Sequence, residues 1–122
     1  MNIILWILQA LLAIAFLGHA YGMWFPMESQ TRQMPYIMAI PTPFRRILAV
    51  VEALGAVGLI LPPLTHIWPW LVPWAATGLV ILMASAIVFH IRRHENPNVV
   101  FNLILLVLAA VVAYGRFVIA PL

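Results

Sequence analysis

The chain has 122 residues, of which 66% are hydrophobic and 7% charged, and its mean hydropathy is +1.09. A domain this small has too much surface for its volume to hide that apolar content from water, so a water-soluble globule is excluded and lipid is the main solvent. The formal charge of +3 comes from arginines that lie beside apolar runs rather than along a polar stripe, which fits membrane orientation and lipid headgroups and gives no expectation of a nucleic-acid partner.

A bilayer core of about 30 Å needs about 20 apolar residues per helix, and four segments qualify. The first covers about 3–24. No basic stretch precedes it, so it reads as a span rather than a cleavable signal. The connection that follows, 25–44, carries Pro26, Pro35, Pro41 and Pro43 around an apolar centre. Loops this long are usually functional or disordered, and this one is too apolar and aromatic for disorder. We expect a structured cap lying on the bundle, with a Pro-rich spacer as the alternative. The second span covers about 45–61, stopped by Pro62-Pro63. The third covers about 70–91, stopped by Arg92-Arg93, and the fourth about 99–119, after Asn96-Pro97-Asn98. Proline serves as helix punctuation here. Short second and third connections favour antiparallel neighbours.

The expected fold is therefore all-α: a polytopic, four-transmembrane-helix antiparallel bundle, forming a single integral membrane domain over 1–122. Trp6, Trp68, Trp70 and Trp74 fall at one membrane face and Trp24, Phe25 and Phe44 at the other, as an aromatic belt requires. The first and third connections hold Arg32, Arg45, Arg46, Arg92 and Arg93, and the opposite side holds only Arg116. The positive-inside rule then places those loops in the cytoplasm and both termini outside, in a bacterial cytoplasmic (inner) membrane.

Glu52 lies about two turns inside the second span. An ionisable group there costs about 2.5–3.5 kcal/mol on insertion scales, so it marks a functional site by default. His19, His90 and Asn102, one on each other span, lie about 5–10 Å below the same surface at 1.5 Å rise per residue. On a 4,3,4,3 spacing the stripes read Leu8, Leu12, Ala15, His19, Gly22; Arg45, Ala49, Glu52, Ala56, Leu59; Leu79, Met83, Ala86, His90, Arg93; and Asn102, Leu106, Ala109, Ala113, Arg116. Small residues beside each polar one favour helix contact.

These stripes predict an inward-facing pocket lined by His19, Glu52, His90 and Asn102. Arg45 and Arg93 are available to pair with Glu52, and Tyr21 and Tyr36 can supply hydroxyls at the mouth. The plainer reading is that Glu52 pins helix packing through an Arg or His. For Asn102 taken alone, an interhelical hydrogen bond is the better expectation. His66 and His94 read as solvated loop residues. Arg116 reads as a snorkelling anchor with Gln9 as its partner. His19 and His90 meet the minimum for bis-axial haem ligation, and His19, Glu52 and His90 are acceptable metal ligands. No local spacing supports either, so neither a metal nor an intrinsic cofactor is expected. The absence of cysteine removes disulfides, iron–sulfur clusters and thiol chemistry.

The stretches Arg45-Arg46-Ile-Leu-Ala-Val-Val-Glu52-Ala-Leu-Gly55-Ala-Val-Gly58, Pro73 to Gly78 with Ala86-Ile-Val-Phe-His90-Ile-Arg-Arg-His-Glu95, and Asn102-Leu-Ile-Leu-Leu through Tyr114-Gly115-Arg116 resemble DoxX-like membrane proteins in the same order over nearly the whole chain. The resemblance implies a four-helix membrane bundle. It associates the chain with small subunits of thiosulfate:quinone oxidoreductases, with quinones and oxidative stress, and with a receptor-assembly chaperone among eukaryotic relatives. It transfers no catalytic residue.

Three functions follow. The first is a pocket for a small lipophilic or polar ligand such as a quinone, in an accessory subunit whose electron carrier sits in a membrane or soluble redox partner. The second is a membrane chaperone or scaffold docking partners through 25–44. The third is a proton-coupled small-molecule transporter, disfavoured because the arginines near Glu52 would repel cations. No hydrolytic triad, phosphate loop or catalytic carboxylate pair can be assembled, so the chain is not expected to be catalytic alone. A homo-oligomer stays open.

Overall fold

The computed structural model describes residues 2–25, 35 and 39–122. Four helices dominate: α1 (Asn2–Trp24), α2 (Thr42–Thr65), α3 (Leu71–Arg92) and α4 (Asn96–Tyr114), the last continued by a π-helical turn at Gly115–Ile119. Each is long and apolar enough to cross a membrane. No strand occurs among the described residues. The expected all-helical membrane bundle is what the chain forms.

The helices are apolar on every side, so size and polarity, not hydrophobicity, decide what turns inward. Ile3, Ile7, Ile14, Leu54, Leu61 and Ile81 face outward, as a lipid solvent requires. On α2 the buried stripe begins Arg45, Ala49, Glu52, Ala56, Leu59, the spacing expected from sequence. Small residues there allow close approach. At Gly55 a Cβ would lie 2.7 Å from Leu79 Cδ2, so glycine is what permits the α2–α3 crossing.

α1 packs chiefly on α2, and α3 on α4; α2 also packs on α3, while α1 meets α4 less. The main core gathers Leu12, Phe16, Leu59, Val72, Leu79, Met83 and Val112. A smaller cluster of Ala20, Met23 and Ala49, backed by Leu48 and Phe89, lies toward the arginine-rich end.

Three sequence expectations change. First, α2 does not stop at Pro62-Pro63 but runs through both prolines to Thr65. Pro63 has no N–H for the Leu59 carbonyl, and Gln9 Nε2 of α1 donates to that oxygen instead, at 2.7 Å. Second, the starts of α2 and α4 lie three residues earlier than expected, because Pro43 and Pro97 sit in first turns, where a missing N–H costs nothing. Third, α1 is turned relative to the expected stripe. Leu5, Gln9, Leu12, Phe16, Ala20 and Met23 form its buried side, so His19 sits at the edge of that face.

The cap expected over 25–44 falls largely outside the described residues, as does Tyr36. Of that segment, Ala39, Ile40, Pro41 and Phe44 are placed against the bundle, where they line its cavity.

Candidate functional site: an intramembrane cavity

At the arginine-rich end the four helices enclose a cavity of about 360 Å³. Its wall is mostly apolar, with Phe16, Met23, Leu48, Met83, Phe89 and Leu105 among the lining residues. Five polar side chains also line it: His19 of α1, Glu52 of α2, Ser85 and His90 of α3, and Asn102 of α4. The structure thus brings together the four residues that depth and helical face had grouped, one from each helix.

Glu52 is 3% exposed. His19 Nδ1 lies 2.9 Å and 3.0 Å from its two carboxylate oxygens. This contact bridges α1 to α2; an ionised carboxylate only accepts, so in that state Nδ1 is the donor. A buried carboxylate needs such a partner, and the expected pairing to Arg45 or Arg93 is replaced by this one. The histidine side chain itself keeps 26% exposure, which leaves its ring on the cavity side of the pair.

His90, almost fully buried, is held by the way α3 ends. Glu95 N donates to His90 O at 3.0 Å and His94 N to Ile91 O at 3.1 Å, the crossed pair of a Schellman turn. The turn requires a left-handed residue, and His94 supplies it at φ 57°. The chain then doubles back, so Glu95 Oε1 accepts from His90 Nδ1 at 2.9 Å and from Arg93 Nε at 3.0 Å. Burial opposes ionisation of Glu95, but the hydrogen bonds from His90 and Arg93, with their charge, outweigh it and lower its pKa below the ordinary 4.5.

Asn102 is 8% exposed, faces the cavity, and makes no side-chain hydrogen bond among the described residues. The interhelical bond expected for it is not formed. Arg45 is buried and Arg93 half-exposed, and neither lines the cavity. Arg93 is engaged by Glu95 and lies over the Phe89 ring at 5.7 Å. Tyr21 faces outward, because two residues beyond His19 is about 200° around the helix. Among the described residues no three His, Asp or Glu side chains are placed to share a metal ion.

The family model described as DoxX-like matches residues 7–112, which takes in the whole polar layer. The chain belongs to the DoxX-like family. Comparisons with curated proteins and with solved structures return no match. In this DoxX-like chain the cavity polar residues therefore rest on their own geometry.

Two polar groups differ from what the sequence suggests, Glu95 in its role and Arg116 in its burial. Glu95 carries no role in the sequence pattern, though the run His90-Ile-Arg-Arg-His94-Glu95 is where the helix end folds back and brings its carboxylate to His90 and Arg93. At the other end of the bundle Arg116 is 2% exposed, so it does not snorkel. Its Nε donates to Gln9 Oε1 at 2.7 Å, and its NH1 to Asn2 Oδ1 at 2.6 Å and Ala120 O at 2.9 Å. The Gln9 partnership was legible in the sequence; the burial was not.

Proposed function

We propose that the cavity binds a small lipophilic molecule with a polar head, a quinone being the class it suits best, and that the protein serves as the membrane-embedded accessory of a redox system. The observation that carries this reading is Asn102, a largely buried residue whose amide opens onto an apolar chamber and has no side-chain hydrogen-bond partner among the described residues. Buried polar groups are rarely left so, and the amide beside an ionic pair matches a ligand that is mostly apolar with a few polar atoms. A quinone carbonyl accepts from the Asn102 amide N–H. A quinol hydroxyl can pass its proton to the His19–Glu52 pair, since imidazole and carboxylate are the groups suited to that transfer. Electrons would come from or go to a partner protein, since no side chain here is redox-active in that sense. The host would be a bacterial cytoplasmic membrane with the arginine-rich end inside.

The test is saturable binding of short-chain ubiquinone and menaquinone analogues to the purified protein in lipid nanodiscs. Asn102→Leu should weaken binding about tenfold, equivalent to about 1.4 kcal/mol. Ala86→Phe, which fills the chamber, should abolish it. Binding that is absent, or unchanged in Ala86→Phe, would sink the proposal.

A further inference from the structure

Arg45 is 5% exposed. Its Nε and NH1 are buried and make no hydrogen bond. A guanidinium cannot shed its charge, and an unpaired buried charge is among the costliest features a fold can carry. The acids at this end among the described residues are already engaged: Glu52 by His19, and Glu95 by His90 and Arg93.

The position adds an independent argument. Arg45 belongs to the first turn of α2, which begins at Thr42, has no acidic residue in that turn and no side-chain cap. A helix start concentrates positive potential; here it acts through the side chains, since Pro43 has no N–H and Arg45 N already donates to Pro41 O at 2.8 Å. Arg46 follows directly, exposed and lying over the Trp24 ring at 5.1 Å. Pro41 and Phe44, beside Arg45 in sequence, line the cavity.

We propose that the first turn of α2, with Arg45 as the principal donor and Arg46 beside it, holds a phosphate-type anion at the arginine-rich end of the bundle. A planar guanidinium meets two oxygens of such a group at once. The anion is the phosphate of a lipid headgroup or a free phosphate ion; both present the same oxygens. The site stands whatever molecule occupies the cavity.

Native mass spectrometry of protein released from nanodiscs tests it, using phosphatidylcholine alone or with phosphatidylglycerol. A second arm measures the melting temperature in phosphatidylcholine nanodiscs as inorganic phosphate is added. Wild type should retain a phosphatidylglycerol about tenfold more often than Arg45→Gln does, with the exposed Arg92→Gln matching wild type. A phosphate-dependent rise in melting temperature that Arg45→Gln lacks would support the site equally and assign it to the soluble ion. Should Arg45→Gln not fold, Arg45→Lys keeps the charge without the fork and should retain less lipid than wild type. The proposal is overturned if neither response depends on Arg45, or if Arg92→Gln loses as much. It is also overturned if Glu28→Gln and Arg45→Gln destabilise the protein non-additively, which would make a carboxylate of the chain itself the anion. Loss of quinone binding in Ala86→Phe with lipid retention intact separates this site from the cavity.

Discussion

Gln9 has no exposed surface, and its carboxamide serves two groups that would otherwise be stranded in a medium without water. Its nitrogen reaches the Leu59 carbonyl that Pro63 leaves open, and its oxygen takes the Arg116 Nε–H. Leaving such groups unmet costs about 1–3 kcal/mol each. Gln9→Leu strands both and should therefore destabilise the protein by about 2–6 kcal/mol, measured by denaturant titration in detergent. Pro63→Ala restores an N–H at the position that closes on Leu59, so in that background the cost of Gln9→Leu should shrink. Additive effects would refute the link. The contrast with Glu52 shows what was legible at this scale. A carboxylate in a span announces itself by its cost, and His19, His90 and Asn102 follow from depth and helical face. A neutral glutamine carries no such signal, and the carbonyl that needs it is created by a proline fifty-four positions away.

At the scale of elements, the end of α3 is the most informative. His94 adopts a left-handed conformation that glycine would take more cheaply. The turn it makes is what brings Glu95 under His90 and Arg93. The same contacts hold the Glu95 carboxyl below its ordinary value against the effect of burial. A carboxyl with a lowered pKa in the folded state stabilises the fold fully above its unfolded pKa, and loses that contribution as pH falls through the folded value. The melting temperature in detergent should accordingly drop once pH falls below about 4.5. Glu95→Gln should start lower at neutral pH and show a smaller acid drop; equal acid slopes would dismiss the pair as a stabilising contact. Span existence and order were legible because length and composition decide them. Helix ends were less so, since Pro43 and Pro97 start helices while Pro62 and Pro63 sit inside one. The rotation of α1 was not legible. A helix apolar on all sides offers no periodic contrast, and the buried Gln9 that sets its face has partners known only in three dimensions.

For the whole molecule, the decisive asymmetry is polar. The described carboxylates Glu52 and Glu95 gather at one end with Arg45, Arg46, Arg92 and Arg93, while the other end holds Arg116 among neutral acceptors. Arg45 and Arg116 are buried, so they serve packing or binding and are weak guides to orientation. Arg46, Arg92 and Arg93 remain outside the core, and all three lie at the cavity end. Positive residues flanking spans favour the cytoplasmic side, so the proposed orientation has the cavity end facing it. Because the chain has no cysteine, single cysteines report orientation cleanly. A His94→Cys protein should resist a membrane-impermeant maleimide in intact bacterial cells and react once the inner membrane is opened. A cysteine at Ile67, exposed in the turn between α2 and α3, should react once the reagent passes the outer envelope. The reverse pattern would turn the bundle over and place the cavity end on the outer side, from which any partner of the proposed redox function would have to act.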